Sequence, residues 1–327
     1  MKQEHPFGET NPEGRKALFD IIESIIAEDP VGRGIGTLRK RELLLGGEIE
    51  EMAESGKKFL GTEKVYYREK RMSIGELGNA VDDISKASNI YILTGFFIPS
   101  SQTIETDGIS GACFLSKALD KLGKRVYVLN DPHNKEILKK AFETIQFSPS
   151  FVSPNFNNHP STWIDYNIKS CMISIERPGM GIDGKYRTMR GIEIPAYPLD
   201  KIFVEAQQRG DIIKTISCAD GLNEIGMGKL SRGIIPNDEK IHSIIPVDDL
   251  ILGGTADWAV FGLIAALQLA TGEYLLPSMD EQERLLKTIV SAGAFDGITG
   301  ESKLSIDSLP LEEHKRKVTE LRFFAYP

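Results

Sequence analysis

Residues 217–229, SCADGLNEIGMGK, combine two carboxylates, a carboxamide and three glycines in a short stretch. A largely apolar run at 212–216 precedes them, which is typical of a buried strand that ends in a tight loop. In open α/β sheets the ligand crevice lies outside the carboxyl ends of the strands. Asp220, Asn223 and Glu224 would offer the hard oxygen ligands that Mg²⁺ or Mn²⁺ takes. A polar turn with a helix cap is the alternative interpretation of this stretch.

Asp-Gly recurs in three other loops, at Asp107, Asp183 and Asp296. Acids that reach the same edge of a parallel sheet repel one another, which raises their pKa values unless a cation neutralises them. The pattern therefore predicts a divalent metal ion. Turns that merely favour Asp-Gly are the alternative.

A third polar loop follows the apolar run at 171–175. Glu176 opens it, and Arg177, Arg187 and Arg190 follow. A guanidinium can hold a carboxylate through two hydrogen bonds, so these arginines suit a ligand that carries a carboxylate. Ion pairs between the arginines and Glu176 or Asp183 in a solvated loop are the alternative.

The elements that must position these loops are short apolar strands that alternate with amphipathic helices. Strands are predicted at 89–95, 125–129, 171–175, 212–218 and 242–247, and helices at 12–28, 76–87, 112–122, 199–208, 255–270, 279–290 and 310–323. This order predicts an α/β fold, a Rossmann-like, mostly parallel sheet flanked by helices. Residues 146–170 are predicted to form an irregular insertion, and 38–71 a surface excursion or a lid. A glycine fingerprint with a downstream ribose-binding acid is absent, so a dinucleotide site is only a weak alternative.

Length and charge narrow the class of protein. The 327 residues suit one large catalytic domain, with a helical N-terminal segment at 1–88, a sheet core at 89–300 and a C-terminal helix at 301–327. A net charge of −8 argues against nucleic acid or an anionic membrane surface as a partner. Scattered cysteines and the lack of an apolar signal core predict a cytoplasmic protein, and a homo-oligomer is the usual default.

Four segments also resemble a known family. ETDGISGACFLSKAL, SIERPGMGIDGKYRTMRGIEI, CADGLNEIGMGKL and FDGITG occur in the order found in the D-glutamate cyclase family. The resemblance spans roughly residues 29–300. It implies an α/β fold and a carbon-oxygen lyase that turns D-glutamate into 5-oxo-D-proline and water. Metal binding in relatives agrees with the number of acids.

The residue pattern and the resemblance together give a hypothesis for the roles of individual residues. The predicted catalytic residues are Glu105, Glu176 and Asp220; the substrate-binding residues are Thr94, Gly95, Arg177 and Arg190; the metal ligands are Asp107, Asp220, Asn223, Glu224 and Asp296. Glu105 or Glu176 would be the base that deprotonates the amine, and Arg177 would hold the α-carboxylate of the amino acid.

The sequence departs from the family pattern at several positions near the site. Ile109 and Ser110 replace two prolines, Ala219 and Leu222 replace two glycines, and the segment around Trp258 differs. These departures bear on the substrate more than on the chemistry. A Mg²⁺- or Mn²⁺-dependent phosphohydrolase and a non-catalytic small-molecule sensor are the alternative functions.

Overall fold

A computed structural model describes residues 12–30, 76–129, 131–154, 164–210, 212–230 and 239–326. Six parallel strands form the central sheet in the order β5-β4-β1-β6-β7-β8. The strands are β1 (Asn89–Thr94), β4 (Arg125–Leu129), β5 (Ser150–Val152), β6 (Ser170–Ile175), β7 (Ile213–Ala219) and β8 (Asp249–Leu252). The chain builds outward from β1 on one side and then returns to β6 on the other. This Rossmann-like order confirms the predicted fold class and puts the topological switch point between β1 and β6.

Helices cover both faces of the sheet. They are α1 (Pro12–Ile26), α2 (Glu76–Lys86), α3 (Ile109–Lys121), α4 (Lys135–Thr144), α5 (Lys201–Gln208), α6 (Ala256–Thr271), α7 (Met279–Ser291) and α8 (Leu311–Phe324). Side chains alternate along β1: Ile90 and Ile92 pack in the larger core with most of the helices, whereas Tyr91 and Leu93 pack in a smaller core with α5. In the described ranges, the helices lack the combined length and apolar character that a bilayer crossing requires.

Two short antiparallel hairpins complete the described structure. The first joins β2 (Phe97–Ile98) to β3 (Thr103–Ile104), and the second joins β9 (Ser305–Ile306) to β10 (Leu309–Pro310). Both hairpins lie next to polar loops at the carboxyl edge of the sheet, because Glu105 follows β3 directly and Asp307 lies in the turn between β9 and β10.

The structure corrects several predicted elements. The predicted strand at 242–247 is wrong; the strand lies at Asp249–Leu252, and buried Ile245 and Val247 belong to an irregular segment that packs in the smaller core. Helix α4 was not predicted, and β5 lies inside the predicted insertion at 146–170. Ile21 of α1 is 37% exposed, whereas Ile22 and Ile26 of the same helix are fully buried. The predicted excursion at 38–71 lies outside the described residues, and the division into segments stays a prediction.

Candidate active site

Four polar loops meet at the carboxyl edge of the sheet. Thr94 ends β1, Glu176 follows β6, Asp220 follows β7, and Asp107 precedes α3. All four side chains are buried. The structure therefore brings these predicted residues to the switch point, where an α/β sheet binds its ligand.

Two groups of carboxylates lie within this edge and share one member. Asp107, Asp220 and Asp307 each offer an oxygen atom within 4.8 Å of the others, and so do Glu176, Asp220 and Glu224. Asp307 was not predicted. The five acids offer the hard oxygen donors that divalent cations take, so the residues fit the predicted metal.

Asp107 lies where two helices begin. Its carboxylate accepts hydrogen bonds from the backbone N–H groups of Ala256 and Asp257, at 2.8 and 2.9 Å, in the first turn of α6. Asp257 in turn accepts a hydrogen bond of 2.7 Å from the backbone N–H of Gly111 in α3. The partial positive charges of both helix N-termini therefore face these acids. Asp257 is a further buried acid that the sequence did not assign to the site.

Burial and neighbouring negative charges raise the pKa values of several acids in the site. The pKa of Asp107 is raised well above its usual range by burial first and then by the negative charges of Asp307 and Asp257. Burial, followed by the charges of Glu224 and Asp220, raises the pKa of Glu176. The pKa values of Glu224 and Asp257 are both raised to about 7, chiefly by burial. Such shifts in a buried cluster are typical of reactive sites.

The loop after β7 is folded around Glu224. One oxygen of this carboxylate accepts the backbone N–H groups of Asp220, at 3.1 Å, and Gly221. The other oxygen, Oε2, is buried and has no hydrogen-bond partner among the described residues. Asn223 donates its side-chain amide to the carbonyl of Arg187 at 2.8 Å, and its role as a metal ligand stays a prediction.

Glu176 is held in an unusual backbone conformation at the end of β6. Its φ is 44°, in the left-handed region that non-glycine residues rarely adopt. Gly108 makes room for it, because a Cβ at residue 108 would lie 2.5 Å from the Cβ of Glu176 and 2.9 Å from the hydroxyl of Thr94. Within the described ranges, both Glu176 Oε2 and the Thr94 hydroxyl are buried without a hydrogen-bond partner. The glycine of the ETDG segment thus allows three loops to converge.

Asp296, another predicted metal ligand, belongs to a turn. Its carboxylate accepts hydrogen bonds from the backbone of Ile298, Thr299 and Ser308 and from the hydroxyl of Ser305. These bonds lower its pKa, and it lies in neither acid group. The next residue, Gly297, leaves space for Glu105, because a Cβ at residue 297 would lie 1.6 Å from Glu105 Oε2. The FDGITG segment therefore positions Glu105.

The predicted substrate-binding arginines differ in their surroundings. Arg177 is buried and pairs with Asp131 at 2.6 Å, while also donating to the carbonyl of Gly95 at 3.2 Å. Arg190 is exposed and reaches the carbonyl of Ile298 at 3.4 Å. Arg177 thus fastens the end of β1 to the end of β6, and Arg190 lies at the surface of the same region.

Arg187, in the polar loop after β6, forms ion pairs within that loop, as the alternative interpretation predicts. Arg187 pairs with Asp183 at 2.6 Å and with Glu193 at 3.3 Å. The hydrogen bond from Arg187 lowers the pKa of Asp183 to about 2. The Asp-Gly at residue 183 is therefore a loop turn that neither acid group includes.

Comparison with known proteins identifies the family of this chain. The family model described as D-glutamate cyclase-like, C-terminal, matches residues 22–322. Human mitochondrial D-glutamate cyclase is 24% identical over 352 residues, which cover 92% of this chain and 50% of that protein, so the chain spans about half of its length. An exopolyphosphatase-related protein from Bacteroides fragilis has a crystal structure with 11% identity and a TM-score of 0.33 over 78% of this chain and 61% of the other. Because the family model matches nearly the whole chain, the protein belongs to the D-glutamate cyclase-like family.

Proposed function

We propose that the protein is a lyase that closes D-glutamate into 5-oxo-D-proline with the release of water. The family supports a lyase of this kind, and the name of the human relative suggests the substrate. The observation that carries the proposal is the pair of buried acid groups that meet at Asp220.

The reaction moves two protons from nitrogen to oxygen. The ammonium group of the amino acid loses two protons, the nitrogen bonds to the γ-carbon, and one γ-oxygen leaves with both protons as water. The site therefore needs a group that accepts a proton from the ammonium and a group that delivers one to the leaving oxygen. No external reductant, oxidant or phosphoryl donor is required.

The acids of the site suit both proton transfers. Glu105 is the candidate for accepting the proton of the ammonium group, because Glu176 would hold the proposed cation, which lowers the basicity of its carboxylate. Glu105 lies close enough to raise the pKa values of Asp107 and Glu176. After the transfer, the same carboxyl group can give its proton to the leaving oxygen.

We propose that a divalent cation, Mn²⁺ or Mg²⁺, assists the reaction. Asp107, Asp220, Glu176, Glu224 and Asp307 would hold it through their buried oxygen atoms. When bound, such a cation withdraws electrons from a carboxylate, which is otherwise a poor electrophile. Exposed Arg190 is the cation that we propose for the α-carboxylate of the substrate, because the guanidinium of Arg177 already pairs with Asp131.

The test is turnover of both glutamate enantiomers by the metal-stripped protein, with and without added Mn²⁺, followed by chiral chromatography of 5-oxoproline. We expect the D product only with the metal. Asp220→Asn should lower turnover by about a thousandfold, as loss of one charge-stabilising group does. Asp183→Asn is the matched control, because Asp183 pairs with Arg187 in the loop after β6 and belongs to neither acid group. This variant should keep full activity. No product from either enantiomer, or full activity of Asp220→Asn, would contradict the proposal.

A further inference from the structure

The predicted ligands of a single cation divide into two places in the structure. Asp107 groups with Asp307, whereas Glu224 groups with Glu176, and Asp220 is the member common to both. A carboxylate has two oxygens and about four acceptor positions, so one aspartate can serve two neighbouring cations. The ligands therefore form two positions at which a cation can bind.

Unpartnered oxygen atoms are found beside both groups. Glu176 Oε2 and Glu224 Oε2 in one group, and Asp257 Oδ2 beside the other, are buried and accept no hydrogen bond from any residue that the structure describes. Their residues are 7%, 1% and 0% exposed. A buried carboxylate oxygen without a partner is costly, so a ligand that it can bind is expected at each group.

Charge argues for more than one cation. The two groups contain five carboxylates, and in the described part of the chain no lysine or arginine forms an ion pair with Asp107, Glu176, Glu224 or Asp257. A single cation at one group would leave either Asp107, or Glu176 and Glu224, without a counter-ion at the other group. Uncompensated buried charge is strongly unfavourable.

Each group is also fixed by its own backbone. The N-terminus of α6 holds Asp107, and the N–H groups of Asp220 and Gly221 hold Glu224. Because these supports belong to different loops, a single ion would have to draw the loops together to use all five acids. Two ions would bind the acids where they already lie.

We propose that the site binds two divalent cations bridged by Asp220, one with Asp107 and Asp307 and the other with Glu176 and Glu224. This inference deepens the proposed function and rests on its assignment of a divalent cation to these acids.

Equilibrium dialysis of the metal-free protein against Mn²⁺ alone, followed by metal analysis, tests the number of ions. We expect two Mn²⁺ per chain for the unmodified protein, one for Asp307→Asn, one for Glu176→Gln and none for Asp220→Asn. Glu283→Gln is the control, because Glu283 is a surface carboxylate paired with lysines on α7 and α8, and it should keep both ions. One ion or none in the unmodified protein would overturn the inference, as would two ions in Asp220→Asn.

Electron paramagnetic resonance of the unmodified protein with Mn²⁺ keeps the test independent of whether the variants fold. Two bridged ions should give an exchange-coupled spectrum, whereas the six-line spectrum of isolated ions at full occupancy would overturn the bridge. Dialysis also separates this inference from the proposed function. Two bound ions without 5-oxoproline would contradict only the reaction, and one bound ion with 5-oxoproline would contradict only the bridge.

Discussion

Glu76 and Glu224 are both almost completely buried glutamates, yet their surroundings are opposite. Glu76 pairs with the equally buried Lys229 at 2.6 Å and accepts the backbone N–H of Leu250, which fastens α2 to β8. Glu224 lies beside Glu176 and Asp220, and its pKa is raised to about 7. Burial alone therefore does not mark a reactive acid in this protein. The sign of the neighbouring charge separates Glu76, which joins two elements of the fold, from Glu224, which we propose as a metal ligand.

The difference predicts opposite responses to substitution. Removing the single partner of a buried charge strongly destabilises the folded protein, because the remaining charge is left unpaired. A buried charge among like charges already destabilises the folded protein, so its removal should raise the free energy of unfolding. Proteins commonly keep such unfavourable groups where activity requires them.

The largest effect on stability is expected for Lys229→Met. This variant leaves Glu76 buried without its cation and should lower the free energy of unfolding by about 3–5 kcal/mol. Denaturation in guanidinium chloride measures the loss. The folded fraction should still bind Mn²⁺ and turn over substrate, because Lys229 lies outside both acid groups.

Lys287→Met is the matched control for this variant. Lys287 pairs with Glu283 at 2.7 Å on the surface of α7, where its side chain is 56% exposed. Exposed pairs contribute at most about 1 kcal/mol, so its loss should be small. Equal losses from the two variants would contradict the contrast between the buried and the exposed pair.

A smaller, pH-dependent effect is expected at His314. It accepts a hydrogen bond of 3.0 Å from the indole N–H of Trp258, and its other nitrogen lies 3.3 Å from the carbonyl of Ile306 in the hairpin that carries Asp307. Burial lowers the pKa of His314 from 6.5 to about 4. The unfolded chain therefore binds the proton first as the pH falls. Stability from neutral His314 is fully present above pH 6.5 and is lost between pH 6.5 and 4, by roughly 3 kcal/mol.

His314→Gln isolates this contribution, because glutamine can keep both hydrogen bonds without titrating. Thermal unfolding of both proteins across pH 4–7.5 measures it. The stability of the variant should fall less between pH 6.5 and 4 than that of the unmodified protein. Parallel pH profiles would show that His314 is not held neutral by the fold.

Much of the fold was readable from the sequence because its signals are local. Strand β4 occupies the predicted residues 125–129, and α7 begins at Met279 as predicted, after a capping box at Ser278. The last strand was misplaced because Ile244, Ile245 and Val247 form an apolar run like that of a strand. These residues pack in the smaller core without entering the sheet.

The site was readable only in part, because Asp-Gly marks a turn whether or not its carboxylate is available. At Asp220 the pattern gives a member of both acid groups, whereas at Asp296 internal hydrogen bonds occupy the carboxylate. Asp307 was not predicted because its hairpin turn lacks the usual sequence signal. Asp307 and Ser308 occupy the two positions of positive φ at which such turns usually have Asn-Gly. The pairing of Arg177 with Asp131 joins distant loops and depends on the tertiary fold.

The smallest effect, and the one of opposite sign, is expected for Glu224→Gln. The amide oxygen of glutamine can still accept the backbone N–H groups of Asp220 and Gly221, and its NH₂ group can donate to the neighbouring carboxylates. One of several like charges is removed while the backbone contacts stay. In the presence of a chelator at pH 8, the variant should therefore be more stable than the unmodified protein by about 1 kcal/mol.

Added Mn²⁺ should reverse this order, because the unmodified protein gains binding free energy that the variant loses in part. Thermal unfolding with and without the metal measures both differences on the same samples. Glu283→Gln removes a partly exposed carboxylate that pairs with Lys287 and Lys315, so it should lower stability slightly in either condition. If Glu224→Gln were less stable than the unmodified protein without metal, Glu224 would be a structural acid like Glu76, and the contrast between the two glutamates would fail.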